Sequence, residues 1–183
     1  MYKNIKKTAM LFIAAASMFA FGCTKENNGT SSDGKFEMKK ADITYKIVLE
    51  PACASALEKA YDLSVEYYDA EGNVKTVSPL SPSILNWELP VTQTSFPSYY
   101  GIKVVITPKS DLSGVGEDQV FDLLGKVQAV AKATSTNGKT RNLLDISEQM
   151  LRRGLDPREG LVTKIGRRVE VQKDGSSKST AWE

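Results

Sequence analysis

The sequence predicts an all-β fold, an antiparallel sandwich of two sheets, immunoglobulin-like or related, with one or two short helices. Three observations predict it. After Asp42, short segments rich in β-branched and aromatic residues recur between breaks of Gly, Asn, Pro and Ser. Two hairpin turns join such segments: one runs through Asp69-Ala70-Glu71-Gly72-Asn73, the other through Thr136-Asn137-Gly138-Lys139, whose Asn-Gly pair tolerates positive φ. Finally, Val127, Ala129, Ala131 and Ala133 alternate with Gln128, Val130 and Lys132, giving a strand with one small apolar face suited to a second sheet.

Taken in order, strands are expected near 42–49, 62–69, 73–78, 84–90, 99–107, 120–134, 139–145 and 161–172. Pro51 to Lys59 combines an early proline with Ala, Leu, Glu and Lys and predicts a turn of helix. Ser147 to Arg153 carries a Ser cap, an early Glu, terminal arginines and Gly154 beyond, which predicts a second helix. Pro157 stops it. The resulting domain spans 42–172, preceded by a flexible tether at 23–41, rich in Asn, Gly, Ser and Lys, and followed by a disordered tail at 173–183.

Composition excludes several function classes. The 183 residues contain no histidine, which removes Ser-His-Asp and Cys-His pairs and imidazole metal sites. An enzyme would depend on carboxylates, Lys or Tyr. The formal charge is +2, but Lys3, Lys6 and Lys7 lie in residues 1–22; without them 21 basic residues face 22 acidic ones, a net of −1. Such a chain lacks the basic excess of a phosphate-neutralising protein, so no nucleic-acid partner is expected. No cofactor and no metal are expected either.

Residues 1–23, MYKNIKKTAMLFIAAASMFAFGC, open with a basic stretch to Lys7 and continue with an apolar run from Thr8 to Phe21. That run is shorter than the roughly 20 residues a bilayer span needs, and it leads into polar chain, as a secretion signal does. Ala20-Phe21-Gly22-Cys23 resembles a lipobox, in the looser form found in Bacteroidota lipoproteins. The resemblance implies a signal peptide at 1–22, cleavage before Cys23, and lipid on Cys23 that holds the protein to a membrane. Several acyl chains on one residue, each buried CH₂ contributing about 0.8 kcal/mol, make such an anchor effectively permanent. Thr24, in place of Asp after the cysteine, resembles lipoproteins sorted to the outer membrane, with the periplasmic or surface face open. Lipidation would also leave Cys53 a lone thiol, read as a small buried residue. The rest of the chain resembles, in general character, the small β-sandwich lipoproteins of Bacteroidota.

Candidate chemistry is sparse. Asp69, Glu71 and Asn73 supply too few oxygens for calcium and are read as a hairpin. Gly114-Val115-Gly116 lacks the Lys-Ser/Thr of a phosphate loop and is read as mobile. Glu117, Asp118 and Asp122 are read as a solvated rim before a carboxylate pair. Trp87, Tyr99 and Tyr100 form the candidate ligand platform, with Trp87 as core plug the competing expectation. All six arginines, Arg141, Arg152, Arg153, Arg158, Arg167 and Arg168, follow residue 140. Residues 139–173 carry net +4 and residues 42–138 net −5. They form either a patch for an anionic partner or one half of an internal pairing with the acidic segment. These features predict a non-enzymatic binding or accessory lipoprotein of the envelope whose partners are the membrane and a glycan or envelope protein. A structural or assembly subunit, and a histidine-free carboxylate hydrolase, are the alternatives.

Overall fold

A computed structural model describes residues 35–81 and 83–183. The expected leader and Cys23 lie outside the described residues, as do positions 24–34 of the expected tether. In chain order the elements are β1 (Met38–Leu49), α1 (Cys53–Lys59), β2 (Tyr61–Tyr68), β3 (Val74–Val77), β4 (Asn86–Gln93), β5 (Ser98–Pro108), β6 (Phe121–Ser135), β7 (Thr140–Asn142), β8 (Ile146–Leu155), a 3-10 turn (Pro157–Glu159), β9 (Thr163–Val171) and β10 (Ser177–Ala181). They form two five-stranded antiparallel sheets. Sheet A runs β4-β1-β6, with β7 and β8 both paired to the far edge of β6; sheet B runs β10-β9-β5-β2-β3.

Period-two alternation builds the interface. Ala41, Ile43, Tyr45, Ile47 and Leu49 of β1 and Val127, Ala129, Ala131 and Ala133 of β6 are buried, and they face Leu63, Val65, Tyr100, Ile102, Val104, Ile106, Val169 and Val171 of sheet B. The alanine run leaves room for two whole tyrosines. Tyr45 and Tyr100 are fully buried; the Tyr45 hydroxyl donates to the Tyr68 carbonyl at 3.0 Å and the Tyr100 hydroxyl donates to the Leu144 carbonyl. Burial pushes both phenols far above their ordinary pKa, so they stay neutral. Pro90 sits in β4, which pairs only with β1 and so has an edge where a missing N–H is tolerated.

Three expectations are corrected. Residues 147–153 are strand, within β8, not helix: Ile146 and Met150 are buried with Glu148 between them on the same face, and pairing along β6 from Phe121 to Ala129 supplies the ladder. Tertiary pairing outweighs local capping signals here. The tether does not extend to residue 41. Met38 is buried and donates its N–H to the Lys173 carbonyl at 2.8 Å, and the Arg141 guanidinium lies 4.1 Å from the Phe36 ring centre. Likewise residues 173–183 are not a loose tail, because β10 pairs with β9 from Ser177↔Val171 to Ala181↔Arg167. The turn before it contains Asp174-Gly175, with Gly175 at φ +71°, which is the hairpin signature already seen at Asn137-Gly138.

Both expected hairpins form. Gly138 takes φ +82° between β6 and β7. At the β2–β3 turn, Asp69 Oδ1 accepts from the backbone N–H groups of Glu71 (3.0 Å) and Asn73 (2.8 Å), so its carboxylate serves the turn. Cys53 is buried at the start of α1, where its Sγ donates to the Leu124 carbonyl at 3.1 Å; burial pushes the thiol pKa up.

Candidate functional site

The predicted platform does not assemble as a unit. Tyr99 and Tyr100 are neighbours on β5 and therefore point to opposite faces of sheet B. Tyr100 fills the core. Trp87 on β4 is the partner of Ile47 and faces inward, half-buried, with its ring 6.0 Å from that of Tyr67. Of the three, Tyr99 alone is on an outer face, 38% exposed.

What Tyr99 joins instead is a row of rings on the outer face of sheet B. Tyr68, at the end of β2, is outward-facing yet buried, because it is flanked on both sides. Its ring stacks on Tyr99 at 5.8 Å with 27° between planes, and lies 4.8 Å from Trp182. Trp182 follows β10 and is held by its N–H to the Gly166 carbonyl at 3.3 Å. The strands beneath carry glycine where the row crosses. A Cβ on Gly101 would sit 2.7 Å from the Arg167 carbonyl oxygen, and one on Gly166 would sit 2.7 Å from the Lys103 Cα. Close strand approach at these two points leaves a floor without side chains.

Charged groups border the row. Lys103, 8% exposed, binds Glu66 at 2.7 Å, donates to the Glu183 carbonyl at 3.2 Å and places its ammonium 5.3 Å from the Trp182 ring centre. On the neighbouring strand the Arg168 guanidinium lies 5.6 Å from the Tyr99 ring, and its Nε donates to the Thr180 hydroxyl at 3.4 Å. A hydrogen bond with the Tyr68 phenol raises the Arg168 pKa further, so the guanidinium is fixed as a cation. The assembly thus presents two partly exposed rings, Tyr99 and Trp182, bridged by a buried one and edged by a guanidinium.

The six arginines do not form one patch. Arg141 covers Phe36 and donates to the Asp174 carbonyl at 2.7 Å. Arg158 binds Asp156 at 3.2 Å and reaches the Val115 and Gly116 carbonyls, which pins the 114–116 loop that the sequence reads as mobile. Arg167 pairs with Glu148 across the two sheets, while Arg168, next to it, faces outward. Arg152 and Arg153 are exposed on β8 without a carboxylate partner among the described residues. The internal pairing also differs from expectation: Arg158 and Arg167 take acids from their own late segment, whereas Lys46, Lys75 and Lys103 pair with Glu88, Asp69 and Glu66 of the early one. Strand neighbours and local turns, rather than halves of the chain, decide the pairs.

Elsewhere a cleft of about 540 Å³ is shallow and polar, lined by Glu58, Asp62, Lys109 and Asp111. Lys109 donates to the Glu58 carbonyl there at 2.7 Å. Among the described residues, four carboxylates have displaced pKa values: Asp42, Asp69, Asp111 and Asp174. All are lowered, opposite to what a general acid needs. Asp122 accepts the Gly154 N–H at 2.9 Å rather than joining Asp118. Among the described residues no three Cys, Asp or Glu side chains converge where a metal could be held, and no helix is long and apolar enough to cross a membrane.

Trp182 was missed by sequence reasoning. The signal that could have found it is the Asp174-Gly175 turn followed by Ser-Lys-Ser-Thr-Ala-Trp, a hairpin turn with a strand behind it. Comparison with known proteins gives no significant match to any family model, curated protein or solved structure.

Proposed function

We propose that this chain is a non-enzymatic binding module, held to the outer membrane by lipid on Cys23, and that the outer face of sheet B binds a glycan. The row Tyr99–Tyr68–Trp182, with Arg168 at its side, carries the reading. Sugar rings present apolar C–H faces that stack on aromatic planes, and hydroxyls that take hydrogen bonds from a guanidinium. Tyr68 acts as a spacer that keeps the two partly exposed rings apart and rigid. Rigid aromatic side chains bind with little loss of conformational freedom. The lipobox resemblance and missing histidine support the anchored, non-enzymatic part.

The test is a glycan array with the purified chain, followed by calorimetric titration with the glycan that binds best. Tyr99→Ala and Trp182→Ala should each weaken affinity by about tenfold, the scale of one lost aromatic contact. Trp87→Phe should leave affinity unchanged. If no glycan binds, or if the two alanine variants bind as well as the parent, the reading is wrong. For the anchor, Cys23→Ser should abolish palmitate labelling in cells and release the protein from the membrane fraction.

A further inference from the structure

The open edge of β8 stands apart from this face. β8 has ten residues and pairs only with β6, so its other edge has no strand partner among the described residues. It is also where local sequence preference and structure disagree: Ser-Glu-Gln-Met-Leu-Arg-Arg carries helix signals yet is extended. Conflicts of this kind concentrate at functional or strained sites.

Sheet A also stops one strand short. Glu148 of β8 bridges to Arg167 of β9, so β8 lies over β9. The next strand of sheet B, β10, makes no hydrogen bond or ion pair with sheet A among the described residues. Its inward-facing Ser179 and Ala181 are exposed, although Val169, which pairs with Ser179, is fully buried. A strand added to β8 would lie over β10 and cover that uncovered side.

The charge at the edge selects the occupant. Arg152 and Arg153 are both exposed and neither is in an ion pair among the described residues; one extra residue of β8 bulges between the Leu123↔Arg152 and Phe121↔Leu155 pairs, with Gly154 at φ +62°. Leu151 beside them is 59% exposed. Two β8 edges meeting antiparallel around these residues would bring guanidinium groups together, which disfavours self-pairing. A strand with acidic residues at successive positions would instead bring carboxylates to both arginines.

We propose that the free edge of β8 is a strand-addition site for an extended acidic segment of a partner protein. The probe is a synthetic peptide as long as β8, ten residues, of Val and Thr with consecutive Glu residues at its centre. Backbone hydrogen exchange of the whole chain is followed with and without it. The expected result is slowing of at least tenfold at amides within 147–153, saturable with peptide and weakened by salt. A Lys-for-Glu peptide should give no protection. Nor should the Glu peptide act on Arg152→Gln/Arg153→Gln, a variant whose melting temperature is checked first; single Gln variants serve if the pair unfolds. Protection confined to other strands, or protection at β8 that survives removal of both charges, overturns the proposal. Absence of protection at saturating peptide does so as well.

Discussion

The outer faces of the two sheets obey the same alternation and end up chemically opposite. On sheet A the outward positions hold solvated ion pairs, Lys40–Asp42 at 2.6 Å and Lys46–Glu88 at 3.5 Å, with Thr92 donating to Asp42. Val130 is half-exposed among them. On sheet B the equivalent positions hold Tyr68, Tyr99, Lys103 and two glycines, and Trp182 is laid across them. A surface ion pair in water contributes little, whereas a lysine drawn beneath an indole depends on its partner. The contrast indicates that sheet A is outwardly a solvated wall and sheet B a built surface.

The largest break should come from the floor of that surface. Gly166→Val places side-chain atoms against the Lys103 backbone, where even a Cβ has only 2.7 Å. Valine is otherwise a good strand residue, so a loss of about 3 kcal/mol in urea unfolding would isolate the steric cause. The control on sheet A, Lys132→Val, should change stability by under about 0.5 kcal/mol. Next is the charge comparison. Glu66→Gln leaves Lys103, 8% exposed, without its carboxylate and should cost about 2 kcal/mol, a partly buried pair being worth less than a fully buried one. Glu88→Gln, at a carboxylate 57% exposed, should be within about 0.5 kcal/mol of the parent. If both cost the same, the two faces do not differ as argued.

Trp182→Ala removes the ring contact with Tyr68 and the cover over Lys103, and about 1 kcal/mol of loss is expected from thermal or urea unfolding. The smallest effect is on pH dependence. Lys40 and Thr92 lower the pKa of Asp42. At Asp69 burial pulls upward, but the Asn73 N–H, Lys75 and the Glu71 N–H outweigh it, so the net displacement is also downward. Carboxylates with lowered folded-state pKa add stability above their unfolded value, near pH 4, and lose it as pH falls through the folded one. Asp69→Asn and Asp42→Asn should therefore each flatten the decline of stability below about pH 4 in acid unfolding. A slope unchanged in both variants would show that these turn and surface contacts carry no acid sensitivity.

Several features were legible because their causes are local. The Asn137-Gly138 and Asp69–Asn73 turns, the alternating β6 and the single helix near Pro51 each follow from neighbours within a few residues. The candidate site was legible only in part. Tyr99 was identified but grouped with Tyr100 and Trp87, which are inward-facing by strand parity and register. Its real companions, Tyr68 and Trp182, lie 31 and 83 positions away in the chain.

By itself, the sequence determined the fold class and the absence of imidazole chemistry, because composition, period and turn residues act at short range. Tertiary structure decided that 147–153 is a strand, that β10 belongs to its sheet, and that the arginines disperse rather than gather. Each of these depends on which strand lies alongside, and pairing across a sheet joins residues whose separation in the chain carries no local signal.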